Sequence, residues 1–186
     1  DNVTAELLAE VEQAAPGDTI AILLHQRIRE GWHTYWRNPG DSGQETAIDW
    51  TLPDGAAAGA IQWPAPSRID YGELVNYGFS GETGLISEIT VPASWPAGRD
   101  FPVRATATWL VCEKICIPEE GVFALSIPTG DARVQAADFV DRFADARRSQ
   151  PVPAPMPASF RVDEATVTLE LRAPDLEPER ISDVYF

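Results

Sequence analysis

The strongest constraint on the fold is the alternation of side chains in residues 101–112, FPVRATATWLVC. Every second position is apolar or small: Val103, Ala105, Ala107, Trp109 and Val111. A period of two residues predicts a β-strand with one buried face. Residues 121–127, GVFALSI, predict a second strand that pairs back with the first, so the residues between them form the loop of a hairpin.

Further strand candidates fill most of the first 129 residues. Runs typical of strands lie within residues 3–11, 18–30, 46–52 and 84–91. Segments rich in Gly and Pro, such as RNPGDSG (37–43), predict turns or loops between strands. Many short strands joined by such turns predict an all-β fold, an antiparallel sandwich over residues 1–129 with the hairpin loop at one end.

The pattern changes after residue 129. Residues 130–149 place apolar side chains at helical spacing, which predicts a short helix with Asp131 as a candidate N-cap. Residues 150–159 are rich in proline and predict a stiff, extended linker. Residues 160–186 return to a strand pattern but are too few for a sandwich of their own. We expect them to be the incomplete start of a second β domain.

The net charge of the chain argues against two classes of binding partner. Its 186 residues include 29 acidic and 14 basic side chains, a formal net charge of −15. This charge argues against a nucleic-acid partner, because phosphate contacts need a surface of Lys and Arg. It also argues against docking on an anionic membrane. No apolar run approaches the roughly 18 residues of a membrane span, so we expect no insertion of these residues into a bilayer.

The two cysteines of the chain, Cys112 and Cys116, lie together in WLVCEKICIP (109–118). They allow three interpretations, of which the first is a structural disulfide. Closing a loop of about five residues removes only roughly 2 kcal/mol from the unfolded state, less than a long loop would. The second is a redox pair. Residues four apart on one helical turn lie about 6 Å apart along the axis, within disulfide reach, and short accessible bridges exchange readily.

The third interpretation is a metal clip. Two thiolates suit copper(I) or zinc, and a histidine would add a ligand. The two histidines of the chain, His25 and His33, both lie far upstream of the cysteines. With so small a ligand set, we expect neither a resident metal nor a cofactor.

Two aromatic segments are further candidates for the site: GWHTYW (31–36) and DYGELVNYGFSGE (70–82). Aromatic residues most often serve in cores and turns. The functional alternative is an apolar lid that shields a reactive disulfide. His33 is either a hydrogen-bonded, partly buried histidine or a group that tunes or shuttles protons at the thiols.

Four motifs in order, GWHTYWRNPGDSG, WPAP, NYGFSGE and WLVCEKICIPEE, carry a resemblance. They resemble the N-terminal periplasmic domain of the DsbD/ScsB family of thiol:disulfide interchange proteins, and most closely its ScsB-like branch, which is linked to copper tolerance. The resemblance covers roughly residues 1–128. It implies an immunoglobulin-like β-sandwich in the periplasm, tethered to the bacterial inner membrane by a transmembrane domain of the full-length protein.

The resemblance also implies an activity, that of a protein-disulfide reductase. Family members receive electrons from the membrane-embedded reductase through a thioredoxin-like domain of the same protein. They pass these electrons to thioredoxin-like periplasmic partners of the ScsC or TlpA kind, or to disulfide isomerases. The alternative function is a copper(I)-binding or partner-docking sandwich whose disulfide is structural.

The resemblance assigns site residues by position. The catalytic redox pair would be Cys112 and Cys116, with Cys116 as the exchanging sulfur. The surroundings of the pair would be His33, Tyr35, Trp109 and Pro118. The cap loop over the sulfurs would be Asn76, Tyr77, Gly78 and Phe79. The DsbD branch differs in two ways, since it spaces its cysteines further apart and places a Phe where this chain has Asn76.

Overall fold

The structure is a computed structural model that describes residues 1–153, 156–172, 177, 179 and 181. It divides into two units, Asp1–Pro151 and Val152–Phe186. Its strands are β1 (Val3–Ala9), β2 (Val11–Gln13), β3 (Thr19–Ile28), β4 (Thr34–Gly40), β5 (Ala47–Thr51), β6 (Ala57–Ala58), β7 (Ser67–Tyr71), β8 (Leu74–Phe79), β9 (Glu82–Thr90), β10 (Phe101–Cys112), β11 (Cys116–Ile127), β12 (Val134–Gln135), β13 (Ala158–Asp163) and β14 (Thr166–Leu171). A 3-10 turn (Ala137–Phe139) leads into the helix α1 (Val140–Arg148).

The first unit is an immunoglobulin-type β-sandwich, which confirms the predicted fold class. One sheet has four strands in the order β1-β3-β9-β6, and another has three in the order β11-β10-β5. Two smaller sheets, β4-β8-β7 and β12-β2, complete the unit. All strand pairs within these sheets are antiparallel.

Burial follows the side-chain pattern of the two longest core strands. In β10, the odd-numbered residues from Phe101 to Val111 are buried and the even-numbered residues between them are not. Strand β3 is buried at every position from Ile20 to Gln26. Its Ala21 and Leu23 pack under α1, so this strand is covered on the helix side as well as in the sandwich. Burial on both faces explains why β3 has an apolar run where β10 alternates.

The helix is shorter than the 130–149 predicted from spacing. It begins at Val140, because Val134 and Gln135 pair with β2 instead and Ala137–Phe139 form the 3-10 turn. Asp131 is therefore not its N-cap; Phe139 occupies that position and makes no side-chain cap. Tertiary strand pairing has overridden the helical spacing of this segment.

Helix α1 is anchored on the outer face of the four-stranded sheet. Phe143 and Ala146 are buried against Leu8, Leu23 and Ile86. Ion pairs from Arg142 to Glu6 and from Arg147 to Glu10 flank this contact. Because partly exposed ion pairs contribute little to stability, the apolar contact holds the helix in place.

The second unit contains an antiparallel hairpin of β13 and β14. Its register places Phe160 opposite Leu169 and Val162 opposite Val167, which makes one face apolar. Ser159 and Arg161, which alternate with these apolar residues along β13, lie on the opposite, polar face. The second β domain predicted for residues 160–186 remains a prediction, since residues 173–176, 178, 180 and 182–186 lie outside the described part, as do residues 154 and 155 of the predicted linker.

We predict that Phe143→Ala lowers the free energy of unfolding by about 3–5 kcal/mol, because it leaves a cavity beneath α1. Val140→Ala is the matched control on the same helix. Its side chain is 56% exposed, against 2% for Phe143, so it should change stability by no more than about 0.5 kcal/mol. Urea unfolding of the first unit measures both changes. Equal effects would mean that α1 does not stabilise the sandwich.

Candidate active site

The β10–β11 hairpin places the two cysteines opposite each other. Its register runs without a shift from Phe101 and Ile127 to Cys112 and Cys116, which are Cα partners. Only Glu113, Lys114 and Ile115 form the loop, so β11 begins five residues before the predicted strand at 121. The hairpin brings the Cα atoms of the cysteines to 4.1 Å, and the two sulfurs form a disulfide.

This geometry corrects one step of the sequence argument. The four-residue spacing was considered on a helical turn, whereas the cysteines face each other across two strands. A three-residue loop requires the flanking residues of a hairpin to be four apart, so the spacing follows from the loop length. The disulfide closes the end of a hairpin whose position is already set by β10.

The two cysteines differ in exposure. Cys112 is 2% exposed, while Cys116 and the three loop residues before it are exposed. A partner molecule therefore reaches Cys116 more readily than Cys112. Ile115, the last residue of the loop, is 66% exposed and adds an apolar surface beside Cys116.

His33 and Tyr35, which the family resemblance placed near the cysteines, both lie beside Cys112 in the structure. The backbones of His33 and Cys112 exchange two hydrogen bonds, each of 2.9 Å. The Tyr35 hydroxyl donates to Cys112 Sγ at 2.9 Å and lies 3.7 Å from Cys116 Sγ. The His33 Nε2 atom lies 3.3 Å from the Tyr35 hydroxyl, and the two rings meet edge to face.

Burial determines the charge of His33. Its side chain is buried beside Tyr35, and loss of hydration lowers its pKa from the usual 6.5. His33 is therefore neutral at neutral pH. One ring nitrogen then carries a proton and can donate a hydrogen bond, while the other can accept a hydrogen bond.

A tight turn after β4 holds the Tyr35 ring. Gly43 has a φ of +105°, and a Cβ atom there would lie 2.2 Å from the ring, so only glycine fits this position. The adjacent Ser42 donates from its backbone N–H and its hydroxyl to Asn76 Oδ1, both at 3.0 Å. Sequence reasoning identified RNPGDSG only as a loop and missed this support of Tyr35.

The predicted cap residues lie in strand β8 rather than in an irregular loop. Asn76 is buried and holds Ser42, as described above. Gly78 pairs with Tyr35, and a Cβ atom there would lie 2.0 Å from the carbonyl oxygen of Thr34. Phe79 is buried and stacks on Trp63 at a centroid distance of 6.4 Å. Tyr77, which lies between Asn76 and Gly78 in the strand, is half-buried and pairs with Arg68 of β7.

Trp109 and Pro118, the remaining predicted surroundings, lie further along the hairpin. Trp109 is buried in the core face of β10, and its indole N–H donates to Glu119 at 3.3 Å. Pro118 is exposed on β11, an edge strand, where the missing N–H is tolerated. Glu119 was missed by sequence reasoning, yet its carboxylate also accepts the backbone N–H groups of Asn2 and Val3. It thereby ties β11 to the start of β1.

The described residues contain no group of three or more His, Cys, Asp or Glu side chains arranged to hold a metal ion. His33 directs Nε2 at Tyr35, as the hydrogen-bond geometry above shows. The site is thus a disulfide with an aromatic, largely neutral environment on its buried side.

A disulfide between a buried and an exposed cysteine, at the end of an immunoglobulin-type sandwich, is an arrangement suited to thiol–disulfide exchange. The family of the thiol:disulfide interchange protein DsbD, N-terminal, matches residues 4–128. The match covers more than half of the chain, and the chain belongs to this family. None of the curated proteins matches the sequence significantly.

The solved structures that match this chain include two domains of related name. The N-terminal periplasmic domain of ScsB from Proteus mirabilis has a TM-score of 0.68 and 22% identity, over 94% of this chain and 65% of that one. This chain therefore spans 65% of the ScsB domain, and the likeness shows the shared fold. The reduced N-terminal domain of DsbD from Neisseria meningitidis has a TM-score of 0.38 and 15% identity, over 70% of this chain and 90% of that one.

The lowered pKa of His33 predicts a pH-dependent contribution to stability. Because the unfolded chain binds the His33 proton more tightly than the folded chain, folding stability is lost as the pH falls through 6.5 towards the folded pKa. We expect the stability difference between wild type and His33→Gln to be most favourable to wild type above about pH 7 and to shrink below 6.5. Urea unfolding across this range measures it. A difference that does not change with pH would contradict the burial of a neutral His33.

Proposed function

We propose that this chain is the periplasmic domain of a protein-disulfide reductase, which takes electrons from a membrane-embedded reductase and reduces disulfides of periplasmic partner proteins. The observation that carries this proposal is the asymmetric disulfide. Cys116 is open to a partner, while Cys112 is buried and hydrogen-bonded by Tyr35. Membership of the DsbD family supports the same reaction class.

The reaction is two successive exchanges at the pair. In the reduced domain, the Cys116 thiolate attacks one sulfur of a partner disulfide, and the other partner sulfur leaves as a thiolate. The Cys112 thiolate then attacks Cys116 Sγ in the mixed disulfide. This step restores the Cys112–Cys116 disulfide and releases the second partner thiolate, so that two electrons have passed to the partner.

The family resemblance supports a proposal for the electron source and the partners. We propose that a thioredoxin-like domain of the full-length protein delivers electrons from its transmembrane domain, which also tethers this domain to the inner membrane. The partners are thioredoxin-like proteins of the ScsC or TlpA kind, or disulfide isomerases. Exposed Ile115 beside Cys116 supports protein docking there, since apolar side chains anchor interfaces. In the described residues, no helix combines the length and apolar character needed to cross a bilayer.

We propose that strand β8, which pairs with β4 at Tyr35, serves as the cap of the site. Asn76 holds Ser42, Gly78 pairs with Tyr35, and Phe79 stacks on Trp63. These contacts fix three of the four cap residues. Tyr77 is the half-buried aromatic residue of this strand, whereas Phe79 is buried.

Trapping tests the roles of the cysteines. Cys112→Ala should accumulate a mixed disulfide between Cys116 and a thioredoxin-like partner, because the resolving thiol is missing. Cys116→Ala is the matched control and should trap little, because Cys112 is 2% exposed. Non-reducing electrophoresis with mass spectrometry identifies the linked cysteine. Trapping through Cys112 instead would reverse the assigned roles.

A redox titration of the full 186-residue chain tests whether the disulfide exchanges at all. We expect a reduction potential above about −300 mV, since structural disulfides lie below this value. A potential well below it would favour the alternative, a docking sandwich with an inert disulfide. Tight stoichiometric binding of copper(I) to the reduced pair would favour the copper-binding alternative.

Tyr77→Ala tests the cap. We expect faster reduction of the disulfide by dithiothreitol, because an aromatic side chain of the proposed cap is removed. Phe79→Ala is the comparison within the same strand. It removes a buried side chain and should lower the free energy of unfolding by about 3 kcal/mol or more. A Tyr77→Ala rate equal to wild type would contradict a shielding role.

A further inference from the structure

The Tyr35 hydroxyl forms a hydrogen bond with one sulfur of the disulfide, that of Cys112. It lies 2.9 Å from Cys112 Sγ as a hydrogen-bond donor, and 3.7 Å from Cys116 Sγ. Tyr35 itself is 1% exposed, and Gly43 closes over its ring. The hydroxyl is therefore held in place and is directed to the buried sulfur before any partner arrives.

We infer that Tyr35 is a catalytic hydrogen-bond donor that stabilises the Cys112 thiolate when the disulfide opens, and that His33 positions the Tyr35 hydroxyl for this role. The inference rests on the proposed thiol–disulfide exchange and deepens it. It gives a chemical reason for attack at Cys116, namely that the departing sulfur is the one with a donor already in place.

The directions of the His33–Tyr35 and Tyr35–Cys112 hydrogen bonds follow from the number of protons that each side chain can donate. Tyr35 has one hydroxyl proton, and its geometry assigns this proton to Cys112 Sγ. The hydroxyl oxygen is then the acceptor for His33 Nε2 at 3.3 Å, which places the single proton of neutral His33 on Nε2. Burial of His33 favours this neutral ring. The result is a chain of donors from His33 through Tyr35 to the sulfur.

A buried thiolate needs such a chain. Cys112 is 2% exposed, and a charge removed from water is unfavourable unless hydrogen bonds replace its hydration. The backbone N–H of Cys112 is already engaged by the His33 carbonyl. The Tyr35 hydroxyl is thus the donor that the structure aims at the sulfur itself.

The step balances as an ordinary exchange. During reduction of the oxidised domain, a thiolate of the electron donor attacks Cys116 Sγ. A new S–S bond forms between them, while the Cys112–Cys116 bond breaks. The electron pair of the broken bond stays on Cys112 Sγ, which becomes a thiolate and accepts the Tyr35 hydrogen bond. A lower-energy leaving thiolate departs faster. A second donor thiolate then releases Cys116, and the donor leaves as a disulfide.

The test is the rate of reduction of the disulfide by dithiothreitol in the full chain, compared between wild type and Tyr35→Phe. The phenyl ring keeps the packing against Gly43 and loses only the hydroxyl. A hydrogen bond to a charged group contributes more than a neutral one, so we expect reduction to slow by about threefold to tenfold. In a Cys116→Ala background, adding Tyr35→Phe should also shift the ultraviolet absorbance of the Cys112 thiolate to higher pH.

Thr34→Val is the matched control. It removes a neighbouring hydroxyl of the same strand that is buried and makes no hydrogen bond in the structure, so the reduction rate should stay within about twofold of wild type. His33→Leu should slow reduction, whereas His33→Gln, which keeps an N–H group near the Nε2 position, should restore most of the rate. This rescue separates positioning of Tyr35 from a general effect of core substitution.

Two outcomes overturn the inference. Reduction of Tyr35→Phe at the wild-type rate, with an unchanged onset of thiolate absorbance, shows that the hydroxyl does not stabilise Cys112. Equal slowing by Thr34→Val shows that the effect comes from packing alone. Failure of the proposed function looks different, because the wild-type disulfide would then resist dithiothreitol and show a potential well below about −300 mV.

Discussion

The rest of the site depends on the backbone bridge between His33 and Cys112. Two hydrogen bonds of 2.9 Å join the segment before β4 to the last residue of β10. Side chains two residues apart in an extended segment lie on the same side, so the bridge brings His33 and Tyr35 to one face of the disulfide. Without it, the aromatic segment and the cysteine hairpin would be separate features of the sandwich, 77 residues apart in sequence.

The hairpin explains how a disulfide can open without disturbing the domain. Strand β10 is paired on one side with β5 and on the other with β11, and its core face is buried along its whole length. The position of Cys112 is therefore fixed by the sheet and not by the disulfide. Cys116 begins the edge strand β11 after an exposed three-residue loop. Only the exposed cysteine and its loop need to adjust when the bond opens.

The sequence predicted the sandwich architecture and singled out the cysteine pair, and the family resemblance pointed to His33 and Tyr35 beside it, but the turn at Gly43 and the tie through Glu119 were not predicted. Alternation in residues 101–112 predicted β10 because the side-chain period of a strand is independent of its partners. The helix near Val140 was placed too early, since the pairing of β12 with β2 is a contact between residues distant in sequence. The role of Glu119 was not predicted for the same reason, since its hydrogen-bond partners Asn2 and Val3 lie more than a hundred positions away in the sequence. Spacing also could not distinguish a helical turn from a hairpin at the cysteines.

Strand β8 and Tyr35 are linked through two sets of contacts. Asn76 holds Ser42, whose neighbour Gly43 packs on the Tyr35 ring, and Gly78 pairs with the backbone of Tyr35 itself. A shift of β8 therefore acts on Tyr35 by two routes, through the turn after β4 and through the strand pairing. Because glycine is required at both contact points, neither route can be loosened by a larger side chain without displacing backbone. The proposed cap and the proposed hydrogen-bond donor to Cys112 consequently belong to a single packed unit.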